Sequence, residues 1–236
     1  MVRNYSTMNH QNKLPEPIVT PAPEKPLMEF VGNNAVLDFH NTLTWATSEG
    51  VNDRIRNFDD LAQWSLKSSL ITKEEAARLR RRVGKRPKRG AKVVNEARRL
   101  RSLLHNALGA LAAGERIAVA DLDELNYAFK RAFKSLQLGA SPTGMIWAND
   151  PTAGPAIIVH RLAWETSQLL TSPDLARLRS CANRECGWLF LDTSKNHSRR
   201  WCSMSDCGSR AKARRYYRRK KGAKSVERTQ FHGGER

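Results

Sequence analysis

From Met28 to about Ser172, apolar positions recur every three or four residues, which predicts a run of amphipathic helices. The clearest stretch is AKVVNEARRLRSLLHNALGALAAGE. There Val93, Ala97, Leu100, Leu104, Ala107 and Leu111 form one stripe, and Gly114 suits the helix stop. Thr72 and Glu75 stand in capping-box spacing ahead of another helix, and Asp121 and Glu124 repeat that spacing less cleanly. AIIVHRLAWETSQLL predicts a buried helix that ends at Ser172-Pro173. In SLQLGASPTGMIW two short apolar stretches flank a Gly/Ser/Pro turn, which predicts a β-hairpin. The Pro/Gly segment in RRRVGKRPKRGAK reads as a basic loop between two helices, either a solvated linker or a second phosphate contact.

The pattern changes after Ser172. GWLFLD alternates Trp188 and Phe190 with Leu189 and Leu191, as a strand does. DTSKNHS reads as a polar turn, and RRWC as the returning partner strand with Trp201 on it. Ser203 and Asp206 then mark the start of a final helix, whose apolar side is only Ala211, Ala213 and the rings of Tyr216 and Tyr217. Cys181, Cys186, Cys202 and Cys207 bracket this hairpin as two short-spaced pairs, the pattern that suits tetrahedral zinc, so the expected fold is a mainly α N-terminal domain with a small β-hairpin, followed by a small C-terminal four-cysteine zinc finger built of a β-hairpin and a basic helix. The expected boundaries are a flexible Pro-rich tail over 1–27, with five of the ten prolines, a helical domain over 28–172, the finger over 173–222 and a flexible tail over 223–236.

Charge sharpens this division. The chain carries a formal +18, and residues 181–236 hold fifteen Lys/Arg against five Asp/Glu. Gly208 to Lys221 has eight Lys or Arg and no acid. Arg210, Arg214, Arg218 and Lys221 share one helical stripe, with Arg215 and Arg219 on the next. Such a surface suits a polyanion better than a packed neighbour. No apolar run reaches the ~20 residues that span a bilayer, and the N-terminus lacks the apolar centre of a signal peptide, so the expected location is the cytoplasm with no membrane partner.

All four cysteines, Cys181, Cys186, Cys202 and Cys207, lie within 27 residues in C-x4-C-x15-C-x4-C spacing. Two short-spaced pairs around a hairpin-sized insert suit tetrahedral zinc, ahead of free thiols, disulfides or an iron–sulfur cluster, with His197 as an alternative ligand. Four protein ligands leave no open position, so the expected metal is structural. No Gly-rich phosphate loop, Ser/His/Asp set or histidine metal cluster is evident, and the expectation is a non-enzyme with no catalytic residues. His40, His105 and His160 read as ordinary buried or half-buried histidines.

CANRECGWLFLDTSKNHSRRWCSMSDCGSRAKARRYYRRKK resembles the CGNR zinc finger, a C-terminal module of bacterial proteins assigned to transcription regulation. The resemblance implies zinc on Cys181, Cys186, Cys202 and Cys207. It departs at one naming position, where Ser209 stands for the family's usual Asn. Upstream, FVGNNAVLDFHNTLTW is similar to the opening of the ABATE domain, a stress-response sensor that accompanies this finger; Leu37, Asp38, Phe39, Asn41 and Thr42 carry the likeness. Asp38, Asn41 and Thr42 are therefore either ligand-site or structural residues.

The leading expectation is a regulator that binds double-stranded DNA, with Arg199, Arg200, Arg210, Lys212, Arg214, Arg215, Arg218 and Arg219 at the nucleic acid. One or two of them would read guanine edges. The helical domain would sense a small-molecule or stress signal, or form a homodimer. The alternative is an RNA-binding protein, ribosome-associated, in which Trp201, Tyr216 and Tyr217 stack on bases.

Overall fold

The computed structural model describes residues 28–44, 52–150 and 153–230, with side chains described as far as Lys220. The predicted tail over 1–27 and the end of the predicted C-terminal tail lie outside these residues. Helix α1 (Ala35–His40) leads into α2 (Phe58–Lys67), α3 (Lys73–Gly84), the long α4 (Pro87–Ala112) and α5 (Val119–Phe133). The hairpin β1 (Leu136–Ser141) and β2 (Gly144–Asn149) follows, then α6 (Ile157–Thr171). The C-terminal part contains β3 (Leu178–Ser180), β4 (Leu189–Leu191), a π-turn over Met204–Gly208 and α7 (Ser209–Gln230). No helix among the described residues is long and apolar enough to cross a membrane.

Local sequence explains several of the helix ends. The Asn34 and Asn57 side chains accept from Val36 N and Asp60 N at the starts of α1 and α2. Thr72 and Glu75 make the full reciprocal box at α3. At the end of α4, Gly114 takes φ +79 and donates to Leu111 O, while Glu115 donates to Ala110 O, the paired bonds of a Schellman stop. The box expected from Asp121 and Glu124 is absent. The helix α5 begins earlier, at Val119 without a side-chain cap; Asp121 instead accepts from Asn106, and Glu124 pairs with Arg99 of α4.

The expected basic loop is also shorter than the sequence suggests. Only Lys85 and Arg86 separate α3 from α4, because Pro87 starts α4 and Gly90 lies inside it. Gly90 is needed there for close approach, since a Cβ would meet Val83 Cγ1 at 2.5 Å.

The larger of two buried clusters is centred on α4, with Phe39 of α1, Trp64 of α2, Leu79 of α3, Leu125 of α5 and Ile158 and Leu162 of α6; the smaller surrounds the cysteines. The larger does not stop at the predicted boundary near 172, for Leu178, Leu189 and Leu191 of the C-terminal sheet belong to it. The strand β3 lies against α4 and β4 against α1. Burying three leucine side chains contributes roughly 1.5–3 kcal/mol each to the contact between the two regions.

The alternation in GWLFLD is as predicted: Leu189 and Leu191 face the helical core, while Trp188 and Phe190 face the cysteines. Its partner is not. The strand β4 pairs antiparallel with β3, Leu178 opposite Leu191 and Ser180 opposite Leu189, whereas RRWC returns as an irregular segment that touches the first knuckle through Ala182 N to Arg200 O. Helix α7 continues to Gln230, beyond the expected boundary at 222.

Candidate metal centre and basic helix

The four cysteines are buried, unbridged and clustered, with all four sulfurs within 4.8 Å of one another. Cys202 Sγ lies 3.6 Å from Cys186 Sγ and 3.7 Å from Cys207 Sγ. A tetrahedron with metal–sulfur bonds near 2.3 Å has edges of about 3.8 Å, so this spacing fits a tetrahedral thiophilic ion and is far too long for a disulfide. His197 is not in the cluster; its ring reaches the Asp192 carbonyl instead.

The backbone around the sulfurs is shaped for this task. Gly187 at φ +70 turns the chain from Cys186 into β4, and Cys181 N donates to Trp188 O across the knuckle. At the second pair the Ser203 hydroxyl accepts from Asp206 N and caps the π-turn that carries Cys207. Ser209, the departure from the family pattern, donates its hydroxyl to Met204 O and so closes this turn. Gly208 lies close under Met204, whose thioether a Cβ would meet at 3.0 Å, so a side chain there would make Met204 shift.

Donors converge on the sulfurs. Cys202 N points at Cys181 Sγ (3.5 Å), and Cys207 Sγ receives the Asn183 amide (3.5 Å) and the Arg210 guanidinium (3.3 Å). The neighbouring thiols push Cys207 down and Cys202 up, and Asn183 adds to the fall at Cys207. Four thiolates in this volume repel one another, so the set ionises fully only around a cation. The cluster thus fits a structural metal ion on both geometry and donor chemistry.

Asn183 carries no motif that marks it as a site residue in the sequence. It is buried between the first two cysteines, donates to Cys207 and accepts from Arg214 (3.0 Å), so it ties the metal cluster to α7. Its position inside the first knuckle is the only local signal. Arg54 is a second residue that sequence reasoning does not find; it is buried with its guanidinium 5.2 Å from the Trp188 ring.

The residues shared with the N-terminal motif converge on β4. The Asn41 amide donates to Leu189 O (2.9 Å) and its carbonyl accepts from Leu189 N (3.0 Å), which completes both backbone groups of a buried strand residue. Gly32 O accepts from Leu191 N, Asn33 donates to Leu191 O, and Trp188 Nε1 donates to Leu43 O. Thr42 donates to Phe39 O and accepts from Arg101, which is itself paired with Asp53. Asp38 accepts from Gly32 N at 2.7 Å. Of the two readings open in the sequence, these contacts fit the structural one. Replacing Asn41 with alanine leaves Leu189 N and O unsatisfied, an expected loss of about 2–4 kcal/mol, measurable as a lower urea midpoint at unchanged slope.

His40 of α1 and His105 of α4 meet in the fold. His40 Nε2 lies 3.1 Å from His105 Nδ1, and His40 Nδ1 lies 3.0 Å from Asn41 Oδ1, so a chain of polar contacts runs from α4 to β4. Burial lowers His40 to about 3, and burial raises Asp38 to about 6. The two act oppositely on stability. A lowered histidine loses stability as pH falls below its ordinary 6.5, because only the unfolded chain takes the proton there. A raised aspartate regains stability as pH falls from 6 toward 3.8, because the folded chain takes it first. Asp38→Asn removes the second effect, so its urea midpoint should fall more steeply than wild type between pH 6.5 and 4.5; equal slopes would contradict this assignment.

The predicted nucleic-acid residues divide into two groups. Arg199 is turned inward: it lies over the Phe190 ring at 4.2 Å and donates to the carbonyls of Val31, Trp201 and Cys202. Arg210 pairs with Asp206 and Cys207, and Arg214 with Asn183 and, at 3.9 Å, Glu185. Trp201 packs on the cysteine cluster beneath Arg200. The outer group is Lys212, Arg215, Arg218 and Arg219, all exposed, with no side-chain hydrogen bond or ion pair among the described residues. Lys221, the last member of the predicted stripe, lies beyond the described side chains.

Two family models match the chain. The CGNR zinc finger matches residues 177–220, and ABATE, described as "Putative stress-induced transcription regulator", matches 33–173. No curated protein matches.

Proposed function

Because the chain belongs to the ABATE family and carries a CGNR zinc finger, we propose that it is a zinc-dependent transcription regulator whose α7 binds duplex DNA. The supporting observation is the cysteine cluster at the base of a helix whose outer face offers Lys212, Arg215, Arg218 and Arg219 to solvent with no acidic partner among the described residues. Cys181, Cys186, Cys202 and Cys207 would hold the zinc, and the bound ion would tie the knuckles and the start of α7 together. Arg210 and Arg214, tied to the cluster, fix the direction of α7. Lys212, Arg215, Arg218, Arg219 and Arg200 then meet phosphates, and one or two of the arginines also read guanine edges in the major groove. The helical domain senses a signal or pairs with a second copy, and the Asn41 clamp on β4 links it to the finger. Such a protein works in the bacterial cytoplasm, where thiols stay reduced.

Tyr216 and Tyr217 support a second reading. Both are exposed on the basic helix, at 59% and 63%, where they suit stacking on unpaired bases of RNA. A salt titration separates the two. Duplex DNA should bind with a log–log slope of about −4 to −5, from some five phosphate contacts, and should outcompete a structured RNA of equal charge. A slope near zero removes the electrostatic reading, and preference for the RNA favours the second.

A further inference from the structure

A cleft of about 570 Å³ lies between the β1–β2 hairpin and the helical body. Trp147 of β2 and Trp164 of α6 line it, their ring centroids 6.3 Å apart at 57°. Trp147 is 57% exposed, although it sits on a two-stranded sheet that has little other cover. The two rings touch each other, and Trp164 is also packed T-shaped against Phe133 at 5.6 Å, so it is the exposed ring of Trp147 that presents π-density to a ligand in the cleft.

The charges in the cleft are unequal. Arg161 is fully engaged: its two terminal nitrogens meet Glu75 at 2.7 Å each, one of them also meets Leu70 O, and Nε donates to Asn149. Glu75 is therefore neutralised, and its second role in the capping box holds it in place. Glu165, next to Trp164, also lines the cleft, half-buried and with no partner among the described residues. Burial pushes its carboxyl up, as expected of an acid that lacks a counter-charge. The cleft thus offers an aromatic wall and one uncompensated carboxylate, and its size is that of a small-molecule site.

We propose that this cleft binds an organic monocation with an apolar body, such as a quaternary ammonium or protonated aromatic amine, its charge held by Glu165 and the exposed ring of Trp147, with Trp164 packed beside it. An anion is disfavoured by Glu165, and a neutral ligand leaves the carboxylate without a counter-charge. The site would give the sensing part of the proposed function a ligand class. It rests on that reading only for the effect on DNA, because binding is measured without DNA.

The test is calorimetric titration of the zinc-loaded full chain, at about 0.15 M salt where long-range repulsion is screened, with tetraphenylphosphonium and with tetraphenylborate. The two ions share a shape and differ in sign. The net charge of +18 favours the anion by itself, so the expected preference for tetraphenylphosphonium, one per chain, reports the local site. Glu165→Gln and Trp147→Ala should each weaken it about tenfold, and both alter exposed or half-exposed positions that leave the core intact. Failure of the cation to bind, equal binding of the anion, or unchanged affinity in Glu165→Gln would overturn the proposal. DNA binding in the same preparations stands or falls separately, so the loss of one reading is distinguishable from the loss of the other.

Discussion

Cys202→Ser is expected to release the metal and to lower the stability of the whole chain. Cys202 touches every other ligand: its sulfur is 3.6 Å from Cys186 and 3.7 Å from Cys207, and its N–H points at the Cys181 sulfur. Structural zinc contributes an apparent ~10–16 kcal/mol in small zinc peptides, comparable to the entire ~5–15 kcal/mol stability of a typical domain. The knuckles and the start of α7 therefore lose their order when it leaves. The effect spreads because β4 serves two cores at once, Phe190 toward the sulfurs and Leu189 and Leu191 toward α1. If half of that strand's burial and the Asn41 clamp are lost, about 3–5 kcal/mol leaves the helical domain. At ~2–4 °C per kcal/mol for a chain of this length the melting temperature should fall by roughly 10 °C. Calorimetry with metal analysis checks this, with zinc falling from one per chain to none. An unchanged main transition after metal loss would make the finger and the helical domain separate units.

Replacing Lys212, Arg215, Arg218 and Arg219 together with glutamine should nearly abolish DNA binding while leaving the fold intact. Each phosphate contact contributes about 0.9 to the log–log salt slope, so four lost contacts reduce the slope by about 3.5 and cost about a thousandfold in affinity at 0.15 M salt. These side chains have no partner among the described residues, so melting should be unaffected. Arg199→Ala should show the reverse. It deletes contacts to three carbonyls and the Phe190 face, so stability falls while the salt slope of the remaining folded protein stays put. Anisotropy titrations across salt, paired with melts, check both. A reduced slope in Arg199→Ala would return that residue to the DNA contacts.

Local signals are legible in the sequence, and long-range ones are not. The cysteine spacing, the Thr72–Glu75 box, the Gly114 stop and the alternation of GWLFLD need only neighbours along the chain, and each appears in the fold as read. The partner of β4 is misread from sequence because β3 is three residues long and carries too little pattern to compete with RRWC. Asn41 cannot be assigned from sequence, since its partner Leu189 is 148 positions away. Arg199 looks like any other surface charge, because three of the groups that turn it inward are carbonyls, which leave no trace in the sequence. Arg210 and Arg214 share a stripe with Arg218, yet only the first two turns of α7 lie close enough to the cluster to fold back on it.

Selection of random duplex DNA on the zinc-loaded chain, at roughly physiological salt to suppress non-specific binding, tests the central claim most directly. An enriched motif is expected, and it should disappear when zinc is removed and when the outer residues of α7 are neutralised. Its symmetry would also report whether one copy or two occupy the site. No enrichment, with the protein folded and zinc-loaded, would contradict a sequence-reading role for α7.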